Sequence, residues 1–459
     1  MSNFWDSSVW GGFNLFAILL IILIVASLLK KNIPFLKDSL IPTSVLGGGV
    51  LLFVGAVYKL IFKVNMFNTS FYGGNGMELL EVITYHTLAL GFIASTFSDS
   101  SGNFDKKRKI EIFNTGITTV ATYLLQAILG MIITIGAGFF IKGFFPAAGV
   151  LLAFGYGQGT GQALNYGNIY ETDFGFIGGK SFGLTIAALG FLSASLGGVI
   201  YLNHLKRKQR LSSILERNQK NTENNLITEN SIPLFENMDT LSVQIAFIMG
   251  SYLLTFLIMT LLGNLVPGLK SVIFGFNFLL GVIMATVTKA VIRNLEKKKI
   301  LKKNYINGFL MTRTRNFFFD IMVVAGIAAI QLHILNQYLI IMLLLGMVGL
   351  ISTYIYNSFV SKILFKDYSE EQFLAMYGML TGTASTGIIL LREVDPDFQG
   401  PVSDNLVYQN FPAIVFGFPI MLLATLAPVK PYLTLAILFA FFIVMNIILF
   451  RRQIFKTKK

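Results

Sequence analysis

The sequence predicts an all-α polytopic membrane protein with about eleven transmembrane helices and two re-entrant hairpins in inverted-topology repeats. Three observations lead to this prediction. The chain has 459 residues, of which 54% are hydrophobic and only 13% are charged, and its mean hydropathy is +0.68. Apolar runs of about 20 residues, long enough to cross a bilayer, recur along it. Two polar, glycine-rich stretches interrupt these runs at matching places in the two halves.

The apolar runs divide the chain into two repeats. They lie near 10–29, 42–62, 77–97, 112–140, 177–202, 241–264, 271–292, 315–334, 338–360, 405–428 and 431–450. The first five runs belong to one repeat at 1–202, and the next five belong to a second at 241–428. A polar linker at 203–240 joins the repeats, and we expect it to be cytoplasmic. Residues 429–459 supply an extra C-terminal span and a basic tail, with no counterpart in the first half.

Basic residues set the expected orientation. With the N-terminus outside, 28 of the 36 Lys and Arg residues fall in cytoplasmic loops, and four fall outside. Cytoplasmic loops of membrane proteins carry such an excess. We therefore expect a multi-pass protein of the cell's inner (plasma) membrane, with a cytoplasmic C-terminus. Orientation in the lipid bilayer also explains the net charge of +13, so no nucleic-acid partner is expected.

Two broken stretches are the candidate functional segments. Residues 155–165 read GYGQGTGQALN, and residues 378–387 read GMLTGTASTG. Polar, glycine-interrupted segments at membrane depth are typical of cavities where bared backbone groups bind substrate and ions. We predict re-entrant hairpins near 147–166 and 372–392. Five spans precede the linker, an odd number, so the two hairpins enter from opposite faces of the membrane.

The hairpins supply the residues that we expect to bind a small anionic solute and sodium. Helix N-termini attract a carboxylate, and hydroxyls, amides and bared carbonyls suit a hard cation. The candidates for the solute are Gln158, Gly159, Thr160, Asn165, Thr381, Thr383, Ser385, Thr386 and Arg392. The candidates for sodium are Thr160, Asn165, Thr383 and Asp320.

Three of the ionisable candidates have a second interpretation. Arg392 could hold a carboxylate, or it could reach lipid headgroups at the membrane surface or pair with Glu393, Asp395 or Asp397. Asp320 could bind the ion, or it could pair with Arg313 or Arg315 near the cytoplasmic end of its span. His86 could carry a proton, although a hydrogen-bonded packing role is the simpler interpretation.

Several motifs resemble the bacterial sodium:glutamate symporters. They are IPFLK at 33–37, VLGGG at 45–49, GQGTG at 157–161 and SFGL at 181–184. Gln158 stands where those symporters carry histidine. The resemblance implies a homodimer in which each subunit has a scaffold domain and a mobile domain with both hairpins. It also implies sodium-coupled symport of glutamate by an elevator-type movement.

Other function classes are less consistent with the sequence. It contains no HExxH or P-loop motif, and no cysteine, so we expect neither an enzyme nor a bound cofactor beyond sodium as the coupling ion. A channel fits inverted repeats less well than a carrier does. The alternatives among carriers are a sodium-coupled carrier of another organic anion, such as a di- or hydroxycarboxylate, and a sodium/proton antiporter that uses Asp320.

Overall fold

The computed structural model describes residues 3–98, 105–208, 239–267, 270–300, 305–332, 338–396 and 400–454. Within these ranges the regular structure is entirely helical, and nine helices are long and apolar enough to cross a membrane. The all-α membrane class predicted from the sequence is therefore confirmed. Most of the linker, at 209–238, the tail beyond Ile454, and Asp397 lie outside the described ranges.

The helices of the first half begin at Ser7. They are α1 (Ser7–Asn32), α2 (Pro34–Asp38), α3 (Thr43–Phe62), α4 (Gly76–Ser98), α5 (Lys106–Phe140), α6 (Leu151–Gln158), α7 (Thr160–Phe174) and α8 (Gly179–Arg207). Short 3₁₀ turns precede α4 and α6. Five of these helices, α1, α3, α4, α5 and α8, are long and apolar enough to span a membrane.

The helices of the second half begin at Thr240. Its helices are α9 (Thr240–Leu265), α10 (Lys270–Gly275), α11 (Asn277–Lys297), α12 (Gly308–Ala328), α13 (Leu339–Leu364), α14 (Ser369–Thr381), α15 (Ala384–Arg392), α16 (Val402–Tyr408), α17 (Asn410–Leu426), α18 (Pro431–Leu449) and α19 (Arg451–Ile454). Two pairs of short helices, α6 with α7 and α14 with α15, stand at the two glycine-rich stretches.

Side-chain caps fix where three of the long helices begin. Asp105 accepts a hydrogen bond from the backbone of Arg108, Asp239 from that of Ser242, and Asn307 from that of Leu310. Such caps satisfy N–H groups that have no partner within the helix. The cap at Asn307 starts α12 at Gly308, seven residues before the span that the hydropathy predicts at 315–334. The second turn of α12 therefore includes the charged residues Arg313 and Arg315.

The span expected at 405–428 is bent. Helices α16 and α17 meet at Gln409 with an angle of 46°. Pro412 explains the break, because its ring lacks an N–H and would clash with the carbonyl of Tyr408 in a continuous helix. The bend sets Gln409 and Asn410 at the same level as the breaks in the two short helix pairs, where all of them line one cavity.

Helices α6 and α7 fold back on each other as a helical hairpin. The rings of Phe154 and Tyr166 stack with centroids 4.0 Å apart and planes within 6°, which two residues twelve apart on a straight helix could not do. Near the open end, Phe145 and Phe176 stack at 4.8 Å. The hairpin extends beyond the predicted 147–166, because α7 continues until Gly175 adopts a left-handed conformation (φ 70°) and ends it.

Helices α14 and α15 form a second hairpin. A Cβ atom at Gly378 would lie only 2.9 Å from the Cα atom of Gly387, so the two helix backbones touch. Only residues without a side chain permit such an approach. The polypeptide turns at Gly382 and Thr383, between Thr381 and Ala384. The hairpin spans 369–392, three residues longer at its start than the predicted 372–392.

The helices pack as two bundles. We call α1, α3, α4, α9, α11 and α12 the flanking bundle, and α5 to α8 with α13 to α18 the hairpin bundle. The first three long helices of each half thus form one bundle, and the later helices with both hairpins form the other. The C-terminal helix α18, expected to be an appendage, packs along α5, and Asn446 accepts a hydrogen bond from Tyr356 at 2.8 Å.

Candidate functional site

The tips of the two hairpins meet inside the molecule. Gly159 has φ 78° and ψ −168°, a conformation that is almost restricted to glycine. A Cβ atom there would lie 3.1 Å from Cγ2 of Thr383 and 3.5 Å from the carbonyl oxygen of Gly382. The glycine therefore allows both the sharp turn between α6 and α7 and the close approach of the second hairpin.

Each tip brings a helix end and a helix start together. Helix α6 ends at Gln158 and α7 starts at Thr160, while α14 ends at Thr381 and α15 starts at Ala384. The last turns of α6 and α14 carry carbonyls without helical partners, and the first turns of α7 and α15 carry N–H groups without them. Opposite partial charges thus lie side by side at the tips, which can bind an anion and a cation together.

A cavity of about 130 Å³ opens beside the tips. It lies between the two bundles and receives polar side chains from both. Its polar lining consists of Ser95, Tyr123, Gln158, Arg315, Asn316, Thr383, Ser385, Gln409 and Asn410. Ser95 is in the last turn of α4 and Arg315 in the second turn of α12, so the cavity lies toward the end of the molecule that carries the loop before α12.

Arg315 is the cationic side chain in this lining, and it is not among the site residues predicted from the sequence. It is half-buried, its Nε donates to Oδ1 of Asn316 at 3.3 Å, and both side chains line the cavity. A guanidinium can bind a carboxylate through two parallel hydrogen bonds. The run Thr-Arg-Thr-Arg-Asn at 312–316 looked like a cytoplasmic charge cluster. Only the early start of α12 brings Arg315 to the cavity.

Three of the predicted residues line the cavity, and four others lie directly behind it. Gln158, Thr383 and Ser385 are half-buried and face it. The buried residues behind it are Gly159, Thr160, Thr381 and Thr386. The hydroxyl of Thr160 donates to the carbonyl of Met322 at 3.3 Å, and that of Thr381 donates to the carbonyl of Tyr377 at 2.7 Å. The oxygens of Thr383 and Thr386 are 3.4 Å apart.

Asn165 is directed away from the tips. Its amide nitrogen donates to the carbonyl of Gly275, the last residue of α10. It lines a second cavity of about 820 Å³, together with Glu78, Glu81 and Lys180. The structure therefore separates Asn165 from the other predicted residues of the first hairpin. The reason is rotational, because Asn165 lies five residues after Thr160 and so faces another side of α7.

Arg392 and Asp320 also lie outside the lining of the tip cavity. Arg392 ends α15, two turns beyond the tip, and is exposed. Asp320 is on α12 but is turned toward α3, where the hydroxyl of Ser44 hydrogen-bonds to its carboxylate. Among the described residues Asp320 forms no salt bridge, so the expected alternative of pairing with Arg313 or Arg315 is wrong.

An ion pair joins the two bundles at the second cavity. Nζ of Lys180, at the start of α8, lies 2.8 Å from Oε2 of Glu81 on α4, and the two side chains are 25% and 17% exposed. The backbone N–H of Lys180 also donates to Glu171. No local sequence pattern connects Lys180 with Glu81, because their positions differ by 99 along the chain.

Within the described ranges, no three His, Asp or Glu side chains are grouped closely enough to hold a metal ion.

Comparison with known proteins adds no further information. Neither a protein-family model nor a curated protein matches this sequence.

Proposed function

We propose that the chain is a secondary active transporter that carries a small organic anion, glutamate by resemblance, together with sodium. The observation that carries this proposal is the contact of two hairpin tips, one from each half, beside a cavity with one arginine. Broken helices that meet in this way are typical of carriers, and helix N-termini with a guanidinium suit a carboxylate.

The proposed transmembrane arrangement has eleven crossings and two re-entrant hairpins. Nine of the crossings would be the long apolar helices, and the other two would be the bent pair α16–α17 and the 21-residue helix α12. Five crossings then precede the linker, so the second repeat is inverted relative to the first. The distribution of basic residues favours an outside N-terminus and a cytoplasmic C-terminus. In this orientation the tip cavity lies toward the cytoplasm and the Glu81–Lys180 pair toward the outside.

Different residues of the tip cavity would bind different parts of the solute. Arg315 and Asn316 hold a carboxylate of the solute, and Thr383, Ser385 and Gln158 offer hydroxyl and amide groups to its other polar atoms. The N–H groups at the starts of α7 and α15 add favourable dipoles. Phe319 and Phe92 close the apolar side of the cavity.

The two bundles are candidates for the two domains of an elevator. The hairpin bundle would move as the mobile domain with its cargo, and the flanking bundle would form the scaffold and, by resemblance, the homodimer interface. Sodium and solute must favour binding together, and joint occupancy must permit the movement. The tip cavity, open toward the cytoplasm in this orientation, would then belong to one end of this movement.

Uptake of radiolabelled L-glutamate into proteoliposomes tests the proposal. We expect uptake with an inward sodium gradient and none with an equal potassium gradient. Sodium-independent uptake would reject the ion assignment, and no uptake by correctly inserted protein would reject glutamate. A panel of di- and hydroxycarboxylates under the same gradient then tests the other anions. Counterflow of labelled solute against unlabelled solute distinguishes a carrier from a channel.

A sodium/proton antiporter is the remaining alternative, with Asp320 as the exchanging group. The position of Asp320, outside the tip cavity and hydrogen-bonded to Ser44, favours a local role in joining α12 to α3. Sodium-driven alkalinisation inside vesicles, measured with a pH-sensitive dye, would support the antiporter if Asp320→Asn abolished it.

A further inference from the structure

Helix α5 carries a row of buried polar side chains through the core of the hairpin bundle. Thr115, Thr118, Thr119, Thr122 and Gln126 follow one another at spacings of one to four residues, and each is at most 2% exposed. The hydroxyls of Thr115, Thr118 and Thr122 donate to carbonyls four residues earlier in the same helix. Their protons are therefore used within the helix, and what they offer their neighbours is acceptor oxygens. The hydroxyl of Thr119 instead lies 2.9 Å from Oε1 of Gln409 and 3.1 Å from the carbonyl of Thr115.

Gln126 ends this row with an oxygen that has no partner. Its Nε2 donates to the carbonyl of Leu380 at 2.8 Å and to Oγ1 of Thr353 at 2.9 Å. A carbonyl only accepts, so this contact fixes which end of the amide is nitrogen. Oε1 has no hydrogen-bond partner among the described residues, although Gln126 is fully buried.

Asn357 on α13 repeats the pattern one turn away. Its Nδ2 donates to the carbonyl of Thr353 at 3.0 Å and lies 3.4 Å from Oγ1 of Thr122. Its Oδ1 is also without a partner in the described part of the chain, and the side chain is fully buried. The amide nitrogens of Gln126 and Asn357 both donate to Thr353, one to its hydroxyl and the other to its carbonyl, so the two amides form one buried layer between α5 and α13. Buried acceptors without donors are costly unless a cation or water satisfies them.

The ends of both hairpins border this layer. Leu380 is in the last turn of α14, and Gly157 is in the last turn of α6. A Cβ atom at Gly157 would lie 3.3 Å from Oε1 of Gln126. Helix C-termini carry partial negative charge, so the oxygen of Gln126 lies where two such ends converge. Neutral amide and carbonyl oxygens near negative helix ends suit a desolvated monovalent cation.

We propose that Oε1 of Gln126 and Oδ1 of Asn357 are ligands of a sodium ion in the core of the hairpin bundle, behind the two tips. These residues differ from Thr160, Asn165, Thr383 and Asp320, which the sequence suggests. The role of the ion as coupling ion rests on the proposed function, but its binding does not require the solute. Bound there, the ion would bridge the ends of α6 and α14 and order both hairpins.

Thermal unfolding of the purified full chain, without solute, tests this site. Wild-type protein is titrated with NaCl at constant ionic strength, with choline chloride as the balancing salt and KCl as a second series. We expect a rise in Tm that depends on sodium concentration and is absent with potassium. Gln126→Leu and Asn357→Leu, which keep the volume and remove the oxygen, should raise the sodium concentration for half of the effect at least about tenfold.

Gln372→Leu is the matched control. Gln372 is also a buried glutamine beside α5, but both ends of its amide have partners, with Thr115 at 3.2 Å and Asn405 at 2.9 Å. Its loss should lower Tm and leave the sodium concentration for half of the effect unchanged. A structural role for Gln126 alone would make the two glutamine variants behave alike.

Three results would overturn the proposal. They are a wild-type Tm that does not respond to sodium specifically, a Gln126→Leu variant with the wild-type sodium dependence, and a Gln372→Leu variant that loses it. If the leucine variants do not fold, the Asn357→Asp variant tests the site at pH 8. Its added negative charge should attract the cation and so lower the sodium concentration for half of the rise in Tm. A higher requirement would contradict the site. A sodium-dependent Tm in protein that does not take up glutamate would reject glutamate and leave the site standing.

Discussion

Gly159 and Thr383 touch across the boundary between the two halves of the chain. They are 224 positions apart, and a Cβ atom at position 159 would lie 3.1 Å from Cγ2 of Thr383. Each residue stands at the turn of a helical hairpin, so this contact is where the two glycine-rich stretches meet. The conformation of one stretch therefore depends on the other, which makes the tips a single unit.

Gly159→Ala should disrupt the contact between the two hairpin tips. An alanine would have to adopt φ 78° and press against Thr383, at a cost of about 1–3 kcal/mol for the backbone alone. We expect a lower Tm and uptake reduced at least about tenfold, since roughly 1.4 kcal/mol corresponds to a factor of ten. Gly175→Ala is the control, because Gly175 also has positive φ (70°) but faces open space. Equal loss of uptake in both variants would show that tip contact is unimportant.

Arg315→Gln should weaken binding of the anionic solute. A hydrogen bond to a charged group contributes about 1.5–3 kcal/mol, which corresponds to roughly tenfold or more in affinity. The KM for uptake should rise accordingly. Arg315→Lys should restore only part of the affinity for the solute, since lysine cannot form the two-pronged contact. Arg313→Gln is the control, because Arg313 is exposed and lies over the ring of Phe309 at 5.3 Å. An unchanged KM in Arg315→Gln would exclude it from the site.

Breaking the Glu81–Lys180 pair should loosen the contact between the bundles. Glu81→Gln leaves the half-buried ammonium of Lys180 without its carboxylate, at a cost of about 1.5–3 kcal/mol. We expect a lower Tm in Glu81→Gln and in Lys180→Gln, and a smaller loss in the double variant than the sum of the two single losses, measured as a double-mutant cycle. Lys107→Gln is the control, because its contact with Asp367 is between exposed side chains and should change Tm little. Additive single effects would contradict a direct interaction.

Gly197→Ala should displace the second hairpin. A Cβ atom at Gly197 on α8 would overlap the hydroxyl of Tyr377 on α14, whose oxygen donates to the carbonyl of Ser193 at 2.8 Å. Overpacking of a buried contact costs about 1–3 kcal/mol, so Tm and uptake should both fall. Gly136→Ala, where nothing lies within 4 Å of the added atom, should leave both unchanged. Gly197→Ala with wild-type Tm would mean that α14 can shift freely.

Much of the fold could be predicted because its signals are local. Nine of the apolar runs appear as long apolar helices, and helical hairpins stand at both glycine-rich stretches. The boundaries were less accurate at α12, where the cap at Asn307 outweighs hydropathy. The bend at Gln409 was missed because Pro412 was not weighed against the apolar run around it.

The candidate site was predicted only in part. Gln158, Thr383 and Ser385 line the cavity, because residues at or next to the turn of a hairpin face the space that the tip borders. Asn165 and Arg392 lie elsewhere because each is more than one helical turn from its tip, and there the direction of a side chain depends on the rotation of its helix. Residue type alone did not distinguish a cavity arginine, Arg315, from a surface arginine, Arg313.

The sequence by itself determined that this protein is helical, apolar enough for a membrane, and broken by glycine at two places. Length, hydropathy and backbone freedom are properties of short segments, so no distant residue is needed to read them. Only the tertiary structure decided that Gly159 meets Thr383 and that Arg315 faces the tips. It also decided that Gln126 is buried with a side-chain oxygen that has no hydrogen-bond partner in the described part of the chain. These relationships depend on how helices far apart in the chain rotate and pack against one another, and no local pattern encodes them.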